Sequence, residues 1–285
     1  MLSKEDIKFL ELYSDSEYQK PSVTVDAVIF RLKTIPQDNY RKLPQKKLQV
    51  LLLKRDYSPY KDKFAVPGTF IDLNFELSKS VQLCVNKKVG LKQFYFEQLY
   101  TFGEKTRDPR SRVLSVSYLL LTSEESTTTN GDWFDIDVLE GNETTMNNCL
   151  QKNITLILSN GKNKYESTFN IVQTTLNGTS TQDVRLKSSN LAFDHAKIIL
   201  YALERLKNKI NYTDIIYNLI PKKFTLTELK LCYETVLQTK LLDANFRRKI
   251  EGSVMPLDEY EIGKGHRKSQ FFTKKNTLDL KDVIG

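Results

Sequence analysis

Acidic and basic side chains are mixed in one glycine-containing stretch, residues 66–91, where chemistry on a phosphorylated substrate could take place. Asp72 and Glu76 lie in its polar loop, and carboxylates are the hard oxygen ligands that Mg²⁺ prefers. A metal held there could activate water and offset the charge that develops on a pyrophosphate. Lys87 and Lys88, however, would repel a divalent cation. Two isolated loop carboxylates are more often solvated surface groups, so the stretch lacks the acids that hydrolysis requires.

The same stretch predicts a turn followed by an amphipathic helix. Leu77, Val81, Cys84 and Val85 recur at spacings of four, three and one, so they share one helical face. Gly90 follows the last of these apolar positions, where a helix commonly closes through a left-handed glycine. A preceding strand and a Pro-Gly turn complete the order strand, turn, loop, helix.

This order resembles the Nudix box, whose family hydrolyses nucleoside-diphosphate derivatives. Aligned on Gly90 and Leu91, the apolar position of the box matches Val85, and its glycine falls on Thr69, next to Gly68. The positions of the loop glutamate, the arginine and the three helix glutamates are held by Phe75, Leu83, Cys84, Lys87 and Lys88. The resemblance implies a Nudix α/β/α sandwich that has lost its catalytic acids. We therefore predict that the chain is not an enzyme and holds no metal or other cofactor.

Composition indicates a protein of two domains with a polyanionic partner. The 285 residues are 40% hydrophobic and 27% charged, with a formal net charge of +8 and a pI of about 9.1. Residues 191–285 carry 17 Lys/Arg against 12 Asp/Glu, so most of the positive excess lies in the last third. No apolar run reaches membrane-spanning length, and the charged N-terminus lacks a signal-peptide core. A cytoplasmic location is expected.

Apolar, β-branched runs predict the strands of a first domain over residues 1–188. They lie at residues 23–32, 48–54 and 113–121. Residues 125–188 are interpreted as an insertion in this domain. Within it, two strand-like runs at 154–159 and 167–173 predict an extra hairpin on the sheet, and the polar segment 177–190 predicts a mobile loop.

The last third of the chain, residues 189–285, predicts a second domain that begins with helices. Asp194 is a candidate N-cap of the first helix. A second helix is expected over residues 213–220, where a proline stops it. Thr225 and Glu228 form a capping box that opens a third helix, because each side chain can satisfy the other residue's free backbone donor.

A fourth helix and a basic hairpin follow. Leu242, Phe246 and Ile250 repeat every four residues and predict one buried stripe, so the basic side chains between them project elsewhere, as on a recognition helix. Two strands around residues 263–265 predict a basic wing. Helices followed by a basic hairpin form a winged helix-turn-helix.

Motifs in both halves resemble the Nudix-related transcriptional regulators of the NrtR type. The first half carries RDPRSRV and SVSY in order, and the second carries LAFDHA, FTLTEL and NFRRKI. The resemblance covers nearly all of the chain outside residues 125–188. It implies a ligand-responsive repressor that binds a palindromic operator in double-stranded DNA as a homodimer. It also implies an effector such as ADP-ribose, another NAD metabolite or a sugar.

The predicted DNA contacts lie on the recognition helix, on the segments before it and on the wing. They are Thr225, Lys240, Asn245, Arg247, Arg248, Lys249, Lys264, His266, Arg267 and Lys268. A charge run on a helix is by default a solvated face, but its position after a helix-turn link and beside a basic hairpin favours DNA. Asn245 is equally suited to reading adenine and to capping the helix. Which residues reach bases rather than phosphates stays open.

The predicted effector contacts surround the degenerate box. They are Lys54, Arg55, Gly68, Thr69, Arg107, Arg110 and Arg112. Two alternatives are open for the loop that carries the last three: its arginines pair with acids at the surface, or they hold an anionic effector or stiffen the dimer. Thr69 in place of glycine is expected to narrow the turn. His195 is predicted to be a structural residue rather than a ligand or a base.

The leading interpretation is a DNA-binding repressor whose noncatalytic Nudix domain senses a small effector. One alternative is a Mg²⁺-dependent ADP-ribose or nucleoside-diphosphate pyrophosphatase with an appended domain, which needs acids that positions 84, 87 and 88 do not supply. Another is a basic nucleic-acid-binding or protein-binding module without effector control. Such a module would show a steep salt dependence and little sequence preference.

Overall fold

The computed structural model describes residues 3–13, 19–37, 44–146, 148–261 and 269–275. Its α-helices are α1 (Lys4–Leu12), α2 (Leu77–Val89), α3 (His195–Lys209), α4 (Leu226–Leu237) and α5 (Asp243–Ile250). Its strands are β1 (Ser22–Ile35), β2 (Gln45–Lys54), β3 (Phe64–Ala65), β4 (Gly68–Phe70), β5 (Tyr95–Phe102), β6 (Val113–Leu121), β7 (Asp132–Met146), β8 (Cys149–Ser159), β9 (Lys164–Leu176), β10 (Thr179–Ser189), β11 (Phe224–Thr225), β12 (Val254–Tyr260) and β13 (Gln270–Lys274). None of the helices within these ranges combines the length and apolarity needed to span a membrane.

The large sheet runs in the order β10-β9-β8-β7-β2-β1-β6-β5. Strands β1 and β6 pair in parallel at its centre, and the other neighbours on this path pair antiparallel. The short strands β3 and β4 pair with β2 and β1, and the Pro-Gly turn connects them at the rim. The three strands predicted from apolar runs are confirmed as the central strands β1, β2 and β6.

Strand β1 explains why both faces of the large sheet are covered. Ala27 and Ile29 belong to the apolar cluster that contains Val85 of α2, whereas Val28 and Phe30 belong to a second cluster on the opposite face. Successive side chains of a strand point to opposite faces, so a continuously apolar strand fits only between two covering layers. This arrangement confirms the predicted α/β/α sandwich.

Helix α2 forms where its apolar periodicity predicts it. Val81 and Val85 are fully buried against the sheet. Gly90 ends the helix with a left-handed backbone (φ 77°), and its N–H donates to the carbonyl oxygen of Asn86 over 2.9 Å. A Cβ at this position would lie 2.4 Å from Oγ1 of Thr129, so both the backbone angle and this contact require glycine.

Strands β7 to β10 form a four-stranded meander where the sequence analysis expected one hairpin and a mobile loop. Asn177 and Gly178 connect β9 to β10, and both have positive φ, 49° and 77°. Two consecutive left-handed residues match the twist of a two-residue β-hairpin, for which Asn-Gly is a preferred sequence. The prediction of a mobile loop was wrong, because this Asn-Gly pair was not recognised as a hairpin turn.

The C-terminal unit is a winged helix in which β11, β13 and β12 form a small antiparallel sheet. The capping box of α4 is confirmed: the backbone N–H of Glu228 donates to Oγ1 of Thr225 over 3.2 Å, and the N–H of Thr225 donates to the Glu228 carboxylate over 2.8 Å. The predicted second helix is a 3-10 helix, Ile215–Leu219, because only five residues lie between the preceding turn and the extended backbone before Pro221.

Helices α3 and α5 begin where the sequence predicts, but one side chain at each start differs from its predicted role. Leu242 precedes α5 and is 73% exposed, whereas Phe246 and Ile250 are buried. The predicted stripe therefore contains two buried residues instead of three. Asp194 does occupy the N-cap position of α3, but its carboxylate pairs with an arginine instead of accepting a hydrogen bond from the helix.

Candidate functional site

A cavity of about 450 Å³ opens where the rim of the large sheet meets the end of α2 and the start of α3. Six of the predicted effector contacts line this cavity: Lys54, Arg55, Gly68, Thr69, Arg107 and Arg110. Arg112 does not line it, and its exposed position in the loop is fixed by its carbonyl oxygen, which accepts the N–H of Ser22. Distant parts of the sequence thus meet at one wall, while their role in binding stays a prediction.

Asp26, in the middle of β1, is a buried carboxylate in the wall of the cavity. It accepts a hydrogen bond from the hydroxyl of Ser115. Its two oxygens lie 3.9 Å from the guanidinium of Arg107 and 4.0 Å from Nε2 of His195. A buried carboxylate needs such partners, since an unpaired charge in the interior is costly.

Gly68 is the residue that lets Asp26 occupy this place. A Cβ on Gly68 would lie 1.9 Å from Oδ1 of Asp26, closer than any real contact. Thr69 is an ordinary strand residue whose partner across the sheet is Val25. The expectation that Thr69 narrows the turn was therefore misplaced, because the position at which the fold excludes a side chain is Gly68.

Arg107 and Asp194 form a buried bidentate ion pair. Nε and Nη2 of the arginine donate to the two carboxylate oxygens over 2.9 and 2.7 Å, and the side chains are 4% and 9% exposed. The pair joins the loop before β6 to the first turn of α3. Two alternatives were open for this loop. At Arg107 the structure shows pairing with an acid, but the pair is buried in the interior instead of lying at the surface.

Arg110 pairs with Asp108 of its own loop. Its Nε and Nη2 donate to the carboxylate over 3.0 and 2.7 Å. These hydrogen bonds hold the pKa of Asp108 below its ordinary value and raise the pKa of Arg110. The guanidinium also lies 5.4 Å from the ring of Phe70 and 5.7 Å from the ring of Phe193, so it stays charged and fixed at the cavity.

Arg55 supplies a guanidinium with unused hydrogen-bonding capacity. Its Nε donates to the carbonyl oxygen of Pro59 over 2.9 Å, and its plane lies 4.8 Å from the ring of Phe193. One terminal nitrogen, Nη2, is buried and finds no hydrogen-bond partner among the residues that the structure describes. A buried, unsatisfied N–H group in a cavity wall is the feature expected of a residue that awaits an anionic ligand.

Phe193 stacks between these two arginines at a strained backbone position. Its φ is 52°, in the left-handed region that a bulky residue avoids at a cost on the order of 1–3 kcal/mol. The neighbouring N–H of Ala192 donates to the carbonyl oxygen of Phe64 in β3 over 2.9 Å, which holds the segment against the rim of the sheet. The segment that leads into α3 is therefore part of the cavity.

His195 is buried at the first position of α3, with a role in structure. Its Nδ1 accepts the backbone N–H of Val66 over 3.1 Å, so the neutral ring carries its proton on Nε2, which faces Asp26. Burial lowers the pKa of His195 below its ordinary value, although Asp26 and Asp194 act in the opposite direction. The predicted structural role agrees with this geometry.

We expect His195 to stay neutral at pH values where an ordinary histidine is charged. In ¹³C-edited NMR spectra, its ring signals should not shift near pH 6.5, the ordinary pKa of histidine. Below about pH 6.5 the unfolded chain gains a proton at this position that the folded protein refuses, so stability should fall as the pH is lowered, by up to about 1.4 kcal/mol per pH unit.

The variant His195→Gln is the control for this dependence. Its side-chain oxygen can still accept the N–H of Val66, but it does not titrate, so its stability should change less steeply below pH 6.5. A His195 signal that titrates near pH 6.5 would contradict the assignment of a neutral ring.

Helix α5, the predicted recognition helix, presents predicted DNA contacts to solvent. Asn245, Arg247 and Arg248 are exposed, while Phe246 and Ile250 anchor the helix in the core. Nη2 of Arg248 donates to Oδ1 of Asn245 over 3.2 Å, so the amide and the guanidinium form one polar surface. The amide is engaged with Arg248 here, which leaves its predicted contact with adenine open.

The remaining predicted DNA contacts divide into three groups. Lys240 is exposed and pairs with Glu234, and Lys249 lies over the ring of Tyr233. Thr225 is 4% exposed and acts as the cap of α4, so its predicted contact with DNA is corrected to a structural role. Lys264, His266, Arg267 and Lys268 lie outside the residues that the structure describes.

Comparisons with known proteins agree with this two-part structure. Residues 216–273 match the family model described as the NrtR DNA-binding winged helix domain. The ADPR responsive transcriptional repressor NtrR of Acinetobacter baylyi is 29% identical over 270 residues, which cover 93% of this chain and 86% of that protein. The chain is therefore similar to this repressor over most of its length.

Two solved structures have the same fold over nearly the whole chain. A MutT/nudix family protein from Enterococcus faecalis has a TM-score of 0.65 at 24% identity and covers 95% of this chain and 93% of its own. Shewanella oneidensis NrtR, solved with a 27mer DNA, has a TM-score of 0.59 at 23% identity, covering 89% and 93%. Both halves of the chain therefore share the fold of these structures: a Nudix-like domain followed by a winged helix domain.

The donor set of this cavity does not fit the divalent metal that Nudix hydrolysis implies. No group of three or more His, Cys, Asp or Glu side chains that could hold a metal occurs in the described ranges. Lys87 and Lys88 line the cavity at the end of α2, and Nζ of Lys88 donates to the carbonyl oxygen of Gly68. Mg²⁺ needs oxygen ligands, and the ammonium group of Lys88 at the Gly68 carbonyl oxygen excludes the metal from that oxygen.

Sequence reasoning missed three residues in or beside the wall of the cavity. Asp26 carried a signal, because a carboxylate in the middle of an otherwise apolar central strand needs a specific partner. Phe193 and Asp194 belong to the LAFDH motif, which indicated a family resemblance and a helix start. The motif gave no sign that Asp194 contacts Arg107, which lies 87 positions earlier in the chain. Only the tertiary structure brings that motif to the cavity.

Proposed function

We propose that this chain is a transcriptional repressor that binds operator DNA through its winged helix domain and is released by ADP-ribose bound in its Nudix-like domain. The observation that carries the proposal is that a candidate anion-binding cavity and a DNA-binding type of domain are in direct contact. A cation-rich cavity with an unsatisfied guanidinium lies against the first turn of the helix that leads into an NrtR-type winged helix. The A. baylyi relative is named as an ADPR responsive repressor, which favours this effector over a sugar.

The charges of the cavity support a doubly charged anion such as the diphosphate of ADP-ribose. The basic residues in its wall are Lys54, Arg55, Lys87, Lys88, Arg107 and Arg110, against Asp26, Asp56 and Asp108. A nucleotide diphosphate also offers an adenine ring, for which the exposed aromatic face at Phe70 is a stacking surface. We assign Lys54, Arg55, Arg107 and Arg110 to this effector, and we withdraw Arg112, which lies outside the cavity.

The linker segment at residues 191–195 is proposed to carry the signal. Phe193 contacts Arg55 and Arg110, and Asp194 holds Arg107, so an anion that engages these arginines competes with contacts made by the linker. Effector binding can change operator affinity only if it favours one of two conformations. A conformation in which Phe193 leaves its strained backbone angle would gain free energy relative to the conformation seen here, so the two conformations would differ in stability.

We further propose that the protein acts as a homodimer in the cytoplasm and does not hydrolyse its effector. The symmetry of a palindromic operator requires two copies of the recognition helix α5. Lys87 and Lys88, at positions where the Nudix box carries acids, oppose metal-assisted hydrolysis. We also propose that the two functional domains meet at about residue 189, where β10 ends.

A mobility shift assay tests the function. The purified protein is incubated with DNA from upstream of its own and neighbouring genes, with excess unrelated DNA, and with ADP-ribose, AMP, ribose or a panel of pentoses. We expect a discrete protein–DNA complex that persists in excess unrelated DNA and dissociates when ADP-ribose is added. Release by a pentose alone would replace the proposed effector, and a smear that unrelated DNA abolishes would leave only a nonspecific basic protein. AMP formation in Mg²⁺ would revive the pyrophosphatase.

A further inference from the structure

We propose that the ammonium group of Lys88 takes the place of the divalent metal in this cavity, so that a diphosphate anion binds to the protein without a metal ion. The inference rests on the proposed function in one respect, that the effector carries a diphosphate, as ADP-ribose does. It adds a named cation, a mode of binding and a reason why binding is separated from hydrolysis.

The position of Lys88 is fixed by the fold. The residue lies in the last turn of α2, and its Nζ donates to the carbonyl oxygen of Gly68 across the cavity rim. Gly68 is itself fixed, because it pairs with Asp26 in the sheet and has no room for a side chain. An ammonium group has three N–H donors, and the Gly68 carbonyl takes one of them. A positive charge is therefore anchored at the cavity, with donors to offer to an anion.

The surrounding charges favour an anion at Lys88 over a second cation. Arg107 and Arg110 have carboxylate partners in Asp194 and Asp108, so they are largely neutralised. Lys88 and the neighbouring exposed Lys87 add two positive charges at the same end of α2. The buried, unsatisfied Nη2 of Arg55 is an independent sign that this wall accepts an anion.

The same arrangement explains why a metal is not needed. In a metal-dependent site, the cation both neutralises the phosphate oxygens and activates water. An ammonium group supplies charge and hydrogen bonds but offers no coordination position at which water could lose a proton. The cavity can therefore bind a diphosphate and leave it intact.

Calorimetric titration of the full chain with ADP-ribose and with inorganic pyrophosphate tests the proposal. The wild-type protein should bind each probe with the same Kd in EDTA and in Mg²⁺. Lys88→Met should weaken binding of both probes at least about tenfold, because it removes a charge-assisted hydrogen bond. Lys79→Met removes an exposed lysine from the same helix and should leave both Kd values unchanged.

Lys88→Arg keeps the variant series interpretable. It retains the positive charge, so it should bind both probes more tightly than Lys88→Met. If affinity were lost only through misfolding, it would not depend on whether residue 88 is charged. Thermal unfolding of each variant is measured alongside. Three results would each overturn the proposal. The wild-type protein could lose binding in EDTA, Lys88→Met could bind with wild-type affinity, or the wild-type protein could bind neither probe.

These results are separable from those of the mobility shift assay. Operator release by ADP-ribose only in the presence of Mg²⁺ would preserve the proposed repressor and overturn the role of Lys88. Metal-free binding that depends on Lys88, together with an operator complex that no probe releases, would preserve the site and overturn the regulatory function.

Discussion

Replacing Arg107 by methionine is expected to lower the free energy of unfolding by about 3–5 kcal/mol. The substitution leaves Asp194 without its bidentate partner and removes the cation beside Asp26, and both carboxylates are buried. A buried charge without a partner costs far more than the pair contributes, so the effect should be large although methionine fills similar space. Chemical denaturation with urea at pH 7 measures the loss.

Arg112→Met is the matched control for this prediction. It makes the same chemical change in the same loop, but at an exposed side chain, so its effect should stay within about 0.5 kcal/mol. Equal stability of the two variants would show that the buried pair is not a structural contact.

The double substitution Arg247→Ala/Arg248→Ala is expected to weaken operator binding by at least about 2 kcal/mol, on the order of 30-fold, at physiological salt. Both side chains project from α5 away from Phe246 and Ile250, which anchor the helix. Contacts of arginine with bases or phosphates supply most of the affinity of such a helix. Fluorescence anisotropy with labelled operator measures the change, and thermal unfolding should not shift.

A control for charge is available on the meander. Arg185→Ala/Lys187→Ala also removes two positive charges, from the exposed side of β10, and should leave operator binding within a factor of about two at the same salt concentration. If this variant lost as much affinity as the α5 variant, overall charge would account for binding. If the α5 variant bound operator normally, α5 would not be the recognition helix.

Much of the fold follows from local sequence, and the reason is local physics. The continuous apolar runs of β1, β2 and β6 match strands covered on both faces, and the periodicity before Gly90 matches α2. The capping box at Thr225 marks the first turn of α4 because it depends on residues only three positions apart. Such signals require no knowledge of the tertiary structure.

The misses have two physical sources. Asn177 and Gly178 have the chemistry of a hairpin turn, which the prediction of a loop did not use. The four-residue spacing from Phe246 back to Leu242 predicted burial at a residue that lies before the first residue of α5. The cavity is different in kind, because Arg107, Asp194 and Asp26 meet only through tertiary packing. Residue type and spacing could select the basic residues, but not which of them are neutralised by a buried partner.

The apolar core has a consequence for how such a protein moves. Phe30 and Val50 of the large sheet, Ile198 of α3, and Cys232 and Phe246 of the winged helix belong to one continuous cluster of buried residues. Two domains that share a hydrophobic core do not hinge freely, in contrast to domains joined by a polar interface. The chain should unfold in a single calorimetric transition, with both halves losing structure together. In a dimer built this way, the distance between the two recognition helices would change by the rotation of whole subunits.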